Sequence, residues 1–175
     1  VTERLTKRGC KAEFVKADLS AIEDCAKVIA AADRAFGRVD VLVNAAAITD
    51  RGTIFDTSPQ LFDTMFAVNV RAPFFLTQSV LPALASAGRG AIVNISSIHA
   101  VAGCREHSAY AATRGAIVSF TRSLAIELAP QGIRVNAIAP GSVYVANYER
   151  AIRGYDRAAH GRGIRTGLDV SGEIL

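Results

Sequence analysis

Apolar positions along the chain follow two alternating patterns. Short runs of mostly apolar or alternating residues are typical of strands in a sheet. Longer stretches, in which apolar residues recur every three to four positions, are typical of helices. The first pattern predicts strands over 11–17, 39–44, 91–96 and 134–139. The second pattern predicts helices over 20–37, 58–86 and 108–129.

Residues near the ends of these segments support the boundaries. Ser20 followed by Glu23 predicts a capping box at the start of the first helix, and Gly37 is expected to close that helix. Pro73 and Pro82 are expected to kink or divide the second helix, because proline lacks the N–H that a helix interior needs.

Strands that alternate with helices predict an α/β fold, a doubly wound parallel sheet with helices on both faces. In such sheets ligands bind beyond the carboxyl ends of the strands. Polar or turn-forming residues occupy those ends in this chain, namely Asp18, Asn44, Ser97 and the pair Pro140 and Gly141. The sequence therefore places a ligand site at this edge of the sheet.

The composition argues against several other classes of protein. Hydrophobic residues make up 50% of the chain and charged residues 21%, which is enough apolar material for a core. No apolar run approaches the roughly 20 residues of a membrane span, so we expect no membrane association. Three scattered cysteines, Cys10, Cys25 and Cys104, suit a reducing cytoplasm. The histidines lack metal-ligand spacing, and we expect no metal site.

Positive charge is concentrated near the end of the chain. The net charge is +4, and five arginines fall between positions 150 and 165. We favour a basic, glycine-containing, solvated tail over 146–175 rather than a nucleic-acid surface. Residues 1–145 then form the predicted globular domain. The first residue is Val1 instead of Met, which is consistent with a missing start.

One stretch of the third predicted helix carries the strongest chemical signal. Tyr110 and Arg114 are four residues apart, so both side chains lie on one helical face. A cation beside a phenol favours the phenolate and lowers a pKa that is ordinarily about 10. Ser97, at a strand end, is expected to donate a hydrogen bond to a carbonyl oxygen, and Asn69 to order a water. Together these residues predict hydride transfer between an alcohol and a ketone, with the hydride supplied by a cofactor.

From residue 11 to about residue 145 the chain resembles the short-chain dehydrogenase/reductase superfamily. The matching pieces, in order, are Asp18-Leu19, Leu42-Val43-Asn44-Ala45-Ala46-Ala47, Val68-Asn69-Val70, Ile95-Ser96-Ser97, Tyr110-x-x-x-Arg114 and Pro140-Gly141. This resemblance implies a Rossmann-like fold and an NAD or NADP cofactor, without a preference between the two. It also implies a catalytic tetrad at Asn69, Ser97, Tyr110 and Arg114.

The same resemblance assigns the cofactor site. Asp18 would hold the adenine ring, and Asn44 with its neighbours would line the pocket. Pro140 and Gly141 would flank the nicotinamide. The implied cofactor-binding residues are Asp18, Leu19, Asn44, Ala45, Ala46, Tyr110, Arg114, Pro140 and Gly141.

The chain departs from the family pattern at several points. Arg114 occupies the position of the family's lysine and keeps the positive charge, but arginine practically never deprotonates. Alanines at 45–47 follow Asn44 where the family has Asn-Ala-Gly, and Val145 replaces a threonine. The glycine-rich turn that seats the cofactor pyrophosphate lies upstream in the family and is not in this chain.

These departures change the sheet that we expect. Counterparts of the family's first two strands and its last strand are not recognised, so the predicted sheet is incomplete. In the family's strand order of 3-2-1-4-5-6-7, the strand over 11–17 loses its neighbours. It is expected either to slide across and pair with the strand over 39–44 or to remain an unsatisfied edge.

Two hypotheses about function follow. The leading one is an NAD(P)-dependent oxidoreductase that acts between a secondary alcohol, or a sugar lactol, and a carbonyl compound. The alternative is a non-catalytic relative that serves as a structural or regulatory subunit. In either case the resemblance implies a homo-oligomer formed through the helices at 59–86 and 108–129. The expected partner is a small alcohol or ketone substrate, with no nucleic acid and no membrane.

Overall fold

A computed structural model describes residues 2–49, 52–141 and 143 of the chain. Its helices are α1 Thr2–Thr6, α2 Ile22–Phe36, α3 Pro59–Phe66, α4 Ala72–Ser86 and α5 Ser108–Leu128. A π-helical turn, Ala67–Arg71, joins α3 to α4, and two 3-10 turns lie at Ile98–Ala100 and Ala129–Gln131. The strands are β1 Val41–Asn44, β2 Ala91–Ile95 and β3 Arg134–Ile138.

The three strands form a parallel sheet in the order β1-β2-β3. Val93 on the central strand lies opposite Val43 on one side and Asn136 on the other, and this register brings the carboxyl ends of the strands to one edge. The predicted α/β class with a Rossmann-like parallel sheet is confirmed.

Helices α2, α4 and α5 all pack on one face of this sheet. Leu42, Ile92 and Val135, one from each strand, point into that face. The largest group of buried apolar side chains that fills the space beneath the helices is Val80, Leu84, Ile92, Leu124, Leu128, Ile133 and Val135. On the opposite face Val41, Val43 and Ile138 are each about half exposed. Helices were expected on both faces, and the described residues supply them on one.

The predicted strand over 11–17 does not form, which corrects the first element of the sequence prediction. The segment is irregular, although Val15 and Ala17 lie against Leu42 of β1 in a shared groove. A strand needs hydrogen-bonding neighbours for its backbone. Among the described residues none pairs with this segment, so its alternating side chains do not produce a strand.

The predicted capping box is also wrong. Ala21 is the N-cap of α2 and makes no side-chain capping bond. The backbone N–H and the hydroxyl of Ser20 instead donate to Oδ1 of Asp18, at 2.9 and 2.7 Å. These bonds hold Ser20 to Asp18 one residue before the N-cap, so the helix begins without the capping bonds that the sequence predicts. At the other end Gly37 takes the left-handed conformation with φ 71°, as predicted for the closing residue.

The predicted division of the second helix occurs at the π-helical turn. Pro73 lies in the first turn of α4, which directly follows the π-helical turn, while Pro82 lies inside α4. Pro73 has no N–H to donate to the carbonyl of Asn69, four residues earlier, so regular α-helical bonding is interrupted there. The interruption places Asn69 at a distorted point of the helix, a feature that recurs at functional sites.

Two compact units divide the chain, Val1–Ala139 and Pro140–Leu175. Of the second unit only Pro140, Gly141 and Val143 are described, so the tail over 146–175 stays a prediction. Within the described parts of the chain, no helix is both long enough and apolar enough to cross a membrane.

Candidate active site

Two hydrogen bonds of Arg114 join helix α5 to the carboxyl end of β2. Nη1 of Arg114 donates to the carbonyl of Ile95 at 3.0 Å. The hydroxyl of Ser96 donates to the backbone carbonyl of Arg114 at 2.9 Å. These bonds fix the first turns of α5, which carry Tyr110, beside the strand end that leads to Ser97.

Arg114 and Tyr110 are in contact, as their spacing predicts. The guanidinium carbon lies 4.7 Å from the centre of the Tyr110 ring, a cation–π contact, and Arg114 is only 3% exposed. Its Nε and Nη2 atoms are buried and have no hydrogen-bond partner in the described part of the protein. Arg114 therefore presents a buried positive charge to the face of the Tyr110 ring, and its Nε and Nη2 donate no hydrogen bond within the described residues.

Ser97 is buried and caps the 3-10 turn Ile98–Ala100. Its Oγ accepts the backbone N–H of His99 at 3.2 Å. A hydroxyl that accepts one bond retains its own hydrogen for donation. Ser97 can therefore hold the turn and still donate to a carbonyl oxygen, so its capping role and its predicted chemical role are compatible.

Asn69 joins three parts of the site. Its Oδ1 accepts the N–H of Ile48, and its Nδ2 donates to the carbonyl of the same residue, both at 2.8 Å. The same Nδ2 reaches Oγ1 of Thr113 on α5 at 3.2 Å. The side chain is fully buried and fully used, so it positions the segment after β1 against α5. Its predicted role in ordering a water stays a prediction.

Two histidines form an aromatic wall beside Tyr110. The rings of His99 and His107 stack with centroids 5.1 Å apart, and both meet the Tyr110 ring edge-on at 5.9 and 6.1 Å. Burial, and secondarily the neighbouring His107, lowers the pKa of His99 below its usual value. The sequence offered no periodic signal for this cluster, because the irregular loop between its members sets their approach.

A groove of about 260 Å³ opens at the carboxyl end of β1. It is lined by Val15, Ala17, Leu19, Val28, Leu42, Val43, Asn44, Ala45, Ala46, Val68, Pro73 and Leu76. Four of the residues predicted to bind a cofactor, Leu19, Asn44, Ala45 and Ala46, thus come together. All of the other lining side chains are apolar, which is typical of a small-molecule site.

Asp18 lies in the chain next to Leu19 but outside this lining. Its carboxylate is exposed, and the two hydrogen bonds from Ser20 hold the pKa of Asp18 below its usual value. Asp18 is therefore an ionised acceptor near the groove. Pro140 and Gly141 belong to the second compact unit, and their predicted place beside the cofactor stays a prediction.

In the described residues the buried polar atoms without partners are Oδ1 of Asn44, Nδ1 of His99, Nε and Nη2 of Arg114, and Oγ1 of Thr77 in α4. Asn44 lies at the end of β1 and Arg114 is bonded to the end of β2, so several of these atoms belong to residues near the strand ends. Each such atom costs about 1–3 kcal/mol when nothing bonds to it. No group of three or more potential metal ligands is found within the described ranges.

Comparisons with known proteins agree with this geometry. The family model described as short chain dehydrogenase matches residues 1–154. Glucose and ribitol dehydrogenase homolog 2 of Arabidopsis thaliana is 40% identical over 139 residues, which is 79% of this chain and 47% of the relative. Inactive 2-(S)-hydroxypropyl-CoM dehydrogenase 2 of Xanthobacter autotrophicus is 37% identical over 85% of this chain and 64% of its own length.

A solved structure resembles the fold closely. A metagenomic short-chain oxidoreductase in complex with NADP superposes with a TM-score of 0.75 and 34% identity, covering 81% of this chain and 64% of that chain. The present chain therefore spans between about half and two thirds of the length of these relatives.

Proposed function

The chain belongs to the short-chain dehydrogenase family, and from this premise we propose an NAD(P)-dependent oxidoreductase. The reaction is hydride transfer between a secondary alcohol, or a sugar lactol, and a carbonyl compound. The observation that carries this proposal is the contact between Tyr110 and buried Arg114, bonded to the end of β2 that leads to Ser97. The contact brings a phenol and a cation together at the edge of the sheet where ligands bind, and Ser97 follows the same strand end.

A nicotinamide dinucleotide bound at this edge would supply or accept the hydride. The residues present fit its nucleoside parts, because an apolar groove that includes Leu19, Asn44 and Ala45 lies at the carboxyl end of β1. The residues that would hold it are Asp18, Leu19, Asn44, Ala45, Ala46, Tyr110, Arg114, Pro140 and Gly141. A relative in this family binds NADP, which supports the cofactor class and leaves both forms as candidates.

Three side chains have separate roles in the proposed reaction. Ser97 donates its hydrogen to the substrate oxygen and stabilises the charge that develops there. Tyr110 gives its proton to that oxygen during reduction and takes it back during oxidation. Arg114 presents its positive charge to the face of the Tyr110 ring but does not itself release a proton. The proton on Tyr110 must therefore be exchanged without passing through residue 114.

Cofactor binding is the first test of this proposal. NADH and NADPH are titrated into the full 175-residue chain, and nucleotide fluorescence and the thermal midpoint are recorded. Saturable binding of at least one dinucleotide is expected. If neither changes the fluorescence or the midpoint at millimolar concentration, the enzyme hypothesis fails for this chain.

A second candidate is a structural or regulatory subunit. One relative is described as an inactive dehydrogenase, which supports a non-catalytic chain as a candidate. Phe62, Phe74 and Ile126, on α3, α4 and α5, expose large apolar side chains. We propose that these helices, over 59–86 and 108–129, join copies of the chain into a homo-oligomer. Light scattering after size exclusion tests this, with F74D expected to shift an oligomer to monomer. A monomeric wild-type chain at high micromolar concentration contradicts it.

A further inference from the structure

A cavity of about 500 Å³ lies at the amino edge of the sheet, opposite the edge that carries the candidate active site. The first residues of the three strands, Val41, Ala91 and Arg134, are side by side in the register there. The N–H of Ala91 donates to the carbonyl of Asp40 at 3.1 Å. The N–H of Arg134 donates to the carbonyl of Gly90 at 3.0 Å. These backbone bonds fix the positions from which the side chains of the cavity project.

The cavity carries an excess of positive charge. Arg38, Arg89 and Arg134 line it, together with the carboxylate of Asp40. Arg38 already neutralises that carboxylate, since its Nε donates to Oδ2 at 2.9 Å and its Nη2 donates to Oδ1. Arg89 and Arg134 make no side-chain hydrogen bond or ion pair within the described residues. Three cations against one carboxylate leave a net charge of +2 in the lining.

The two unpaired guanidinium groups act on the same space. The hydrogen bonds from Arg38 lower the pKa of Asp40, and the nearby charge of Arg89 lowers it further. Arg134 is bonded through its backbone to Gly90, the residue that follows Arg89. Like charges that line one cavity repel each other, and an anion between them removes the repulsion. Arginine suits such an anion, because its planar fork of donors matches two oxygens of a phosphate.

We propose that this cavity binds the dianionic phosphate group of a phosphomonoester between Arg89 and Arg134. The charge of the phosphate group matches the net charge of +2 in the lining. The volume of about 500 Å³ is within the range of small-molecule pockets and leaves room for an organic substituent. Because the site lies at the amino ends of the strands, it does not depend on the proposed function. Arginines that only solvate the surface would instead attract any anion weakly, without preference for its charge.

The first test varies the charge of the ligand. Methyl phosphate and sulfate are titrated into the full 175-residue chain by calorimetry at constant ionic strength, with sodium chloride as the background salt. Saturable binding of methyl phosphate is expected at pH 7.5. At pH 5.5 most of the monoester carries one charge, since its second pKa is about 6, and its affinity should fall by roughly threefold or more. Sulfate stays doubly charged and the arginines do not titrate, so the affinity for sulfate should change by less than about twofold.

Variants of the lining locate the bound anion. R89Q and R134Q each remove one charged donor, and each should weaken the binding of methyl phosphate by roughly fivefold or more. D40N removes the repelling carboxylate but keeps the backbone carbonyl that bonds Ala91, so binding should tighten by about twofold or more. R122Q is the matched control, because Arg122 is exposed on α5 and lies outside the lining. Opposite changes in R134Q and D40N cannot both arise from partial unfolding.

The outcomes separate this site from other anion binding. Weaker binding in both arginine variants, tighter binding in D40N and no change in R122Q support the proposal. No saturable binding of methyl phosphate to the wild-type chain overturns it, and so does binding that R89Q and R134Q leave unchanged, since the anion then lies elsewhere. Equal loss of sulfate and methyl phosphate affinity at pH 5.5 contradicts the preference for a dianion. NADH titration is a separate measurement, so its failure overturns the proposed function and leaves the phosphate site standing.

Discussion

The region around α5 and the segment that precedes α2 both match family motifs, yet they differ in how far the motif produces structure. Around α5, the buried Arg114 contacts Tyr110, as the spacing predicts, and bonds to Ile95. Before α2, Asp18 and Leu19 are present, but the strand that leads to them is absent. Local spacing is sufficient for the first region, whereas the second needs backbone partners that the described residues do not supply.

The largest expected effect is a loss of turnover, and it tests the region around α5. Tyr110→Phe removes the hydroxyl and keeps the ring over Arg114, so turnover should fall by roughly 10²- to 10⁴-fold, while NADH binding should weaken by at most about tenfold, the value of one hydrogen bond. Steady-state kinetics with a panel of secondary alcohols, together with nucleotide titration, measure both quantities. Ser119→Ala, at an exposed position on the same helix, is the control. Activity equal to wild type in the Tyr110 variant would show that the phenol is not the proton donor.

The next largest effect is on the free energy of unfolding, and it compares the helix-covered face of the sheet with the open face. Ile92 is fully buried beneath the helices, so I92A should lower the free energy of unfolding by about 2–5 kcal/mol. Val43 is 55% exposed on the opposite face, and V43A should cost less than about 1 kcal/mol. Urea denaturation of both variants provides the values. Similar costs would mean that something covers the open face in solution.

Asn69 tests the bonds that join the segment after β1 to α5. Asn69→Ala removes a side chain with contacts to Ile48 and Thr113, and should lower the free energy of unfolding by about 1–3 kcal/mol. Asn136→Ala, at an exposed position on β3, is the matched control and should be nearly neutral. Thermal unfolding monitored by circular dichroism measures the midpoints of the two variants and of the wild-type protein. Equal midpoints would contradict the positioning role of Asn69.

The smallest expected effect is a pH dependence from His99. Its pKa is lowered in the folded protein, so the unfolded chain binds more protons near pH 6.5, the usual value for histidine. Stability is therefore expected to fall as pH decreases through about 6.5 toward 5.5, and His99→Gln should flatten that slope. Thermal midpoints across pH 5.5–8 measure it. A slope that is unchanged in the variant would assign the effect to another group.

Much of the fold was predictable because its determinants are local. Helical periodicity located α2, α4 and α5, and the runs of β-branched residues located the three strands. The strand over 11–17 was predicted wrongly because strand formation depends on neighbours outside the segment. The capping box at Ser20 failed because the helix begins one residue later, with Ala21 as its N-cap, while Ser20 is bonded to Asp18.

The candidate site shows the same difference between features set by local spacing and features set by packing. Tyr110 and Arg114 were found because one helical turn joins them. The stacking of His99 on His107 was not predicted, because the irregular loop between them sets how the rings approach. The buried hydrogen bonds of Asn94 to Thr121 and Asn44 were missed because they join positions 27 and 50 residues apart. Contacts of this kind depend on how the elements pack, so sequence spacing carries no trace of them.

Transfer of a labelled hydride tests the central proposal most directly. NADH or NADPH that carries deuterium at both C4 positions is incubated with the full-length chain and each of a panel of simple ketones, and the alcohol product is analysed by mass spectrometry. The account predicts alcohol carrying one deuterium from the wild-type protein and essentially none from Tyr110→Phe. No deuterated alcohol from the wild-type chain with either nucleotide across the ketone panel, despite measured nucleotide binding, would contradict it and favour the non-catalytic subunit.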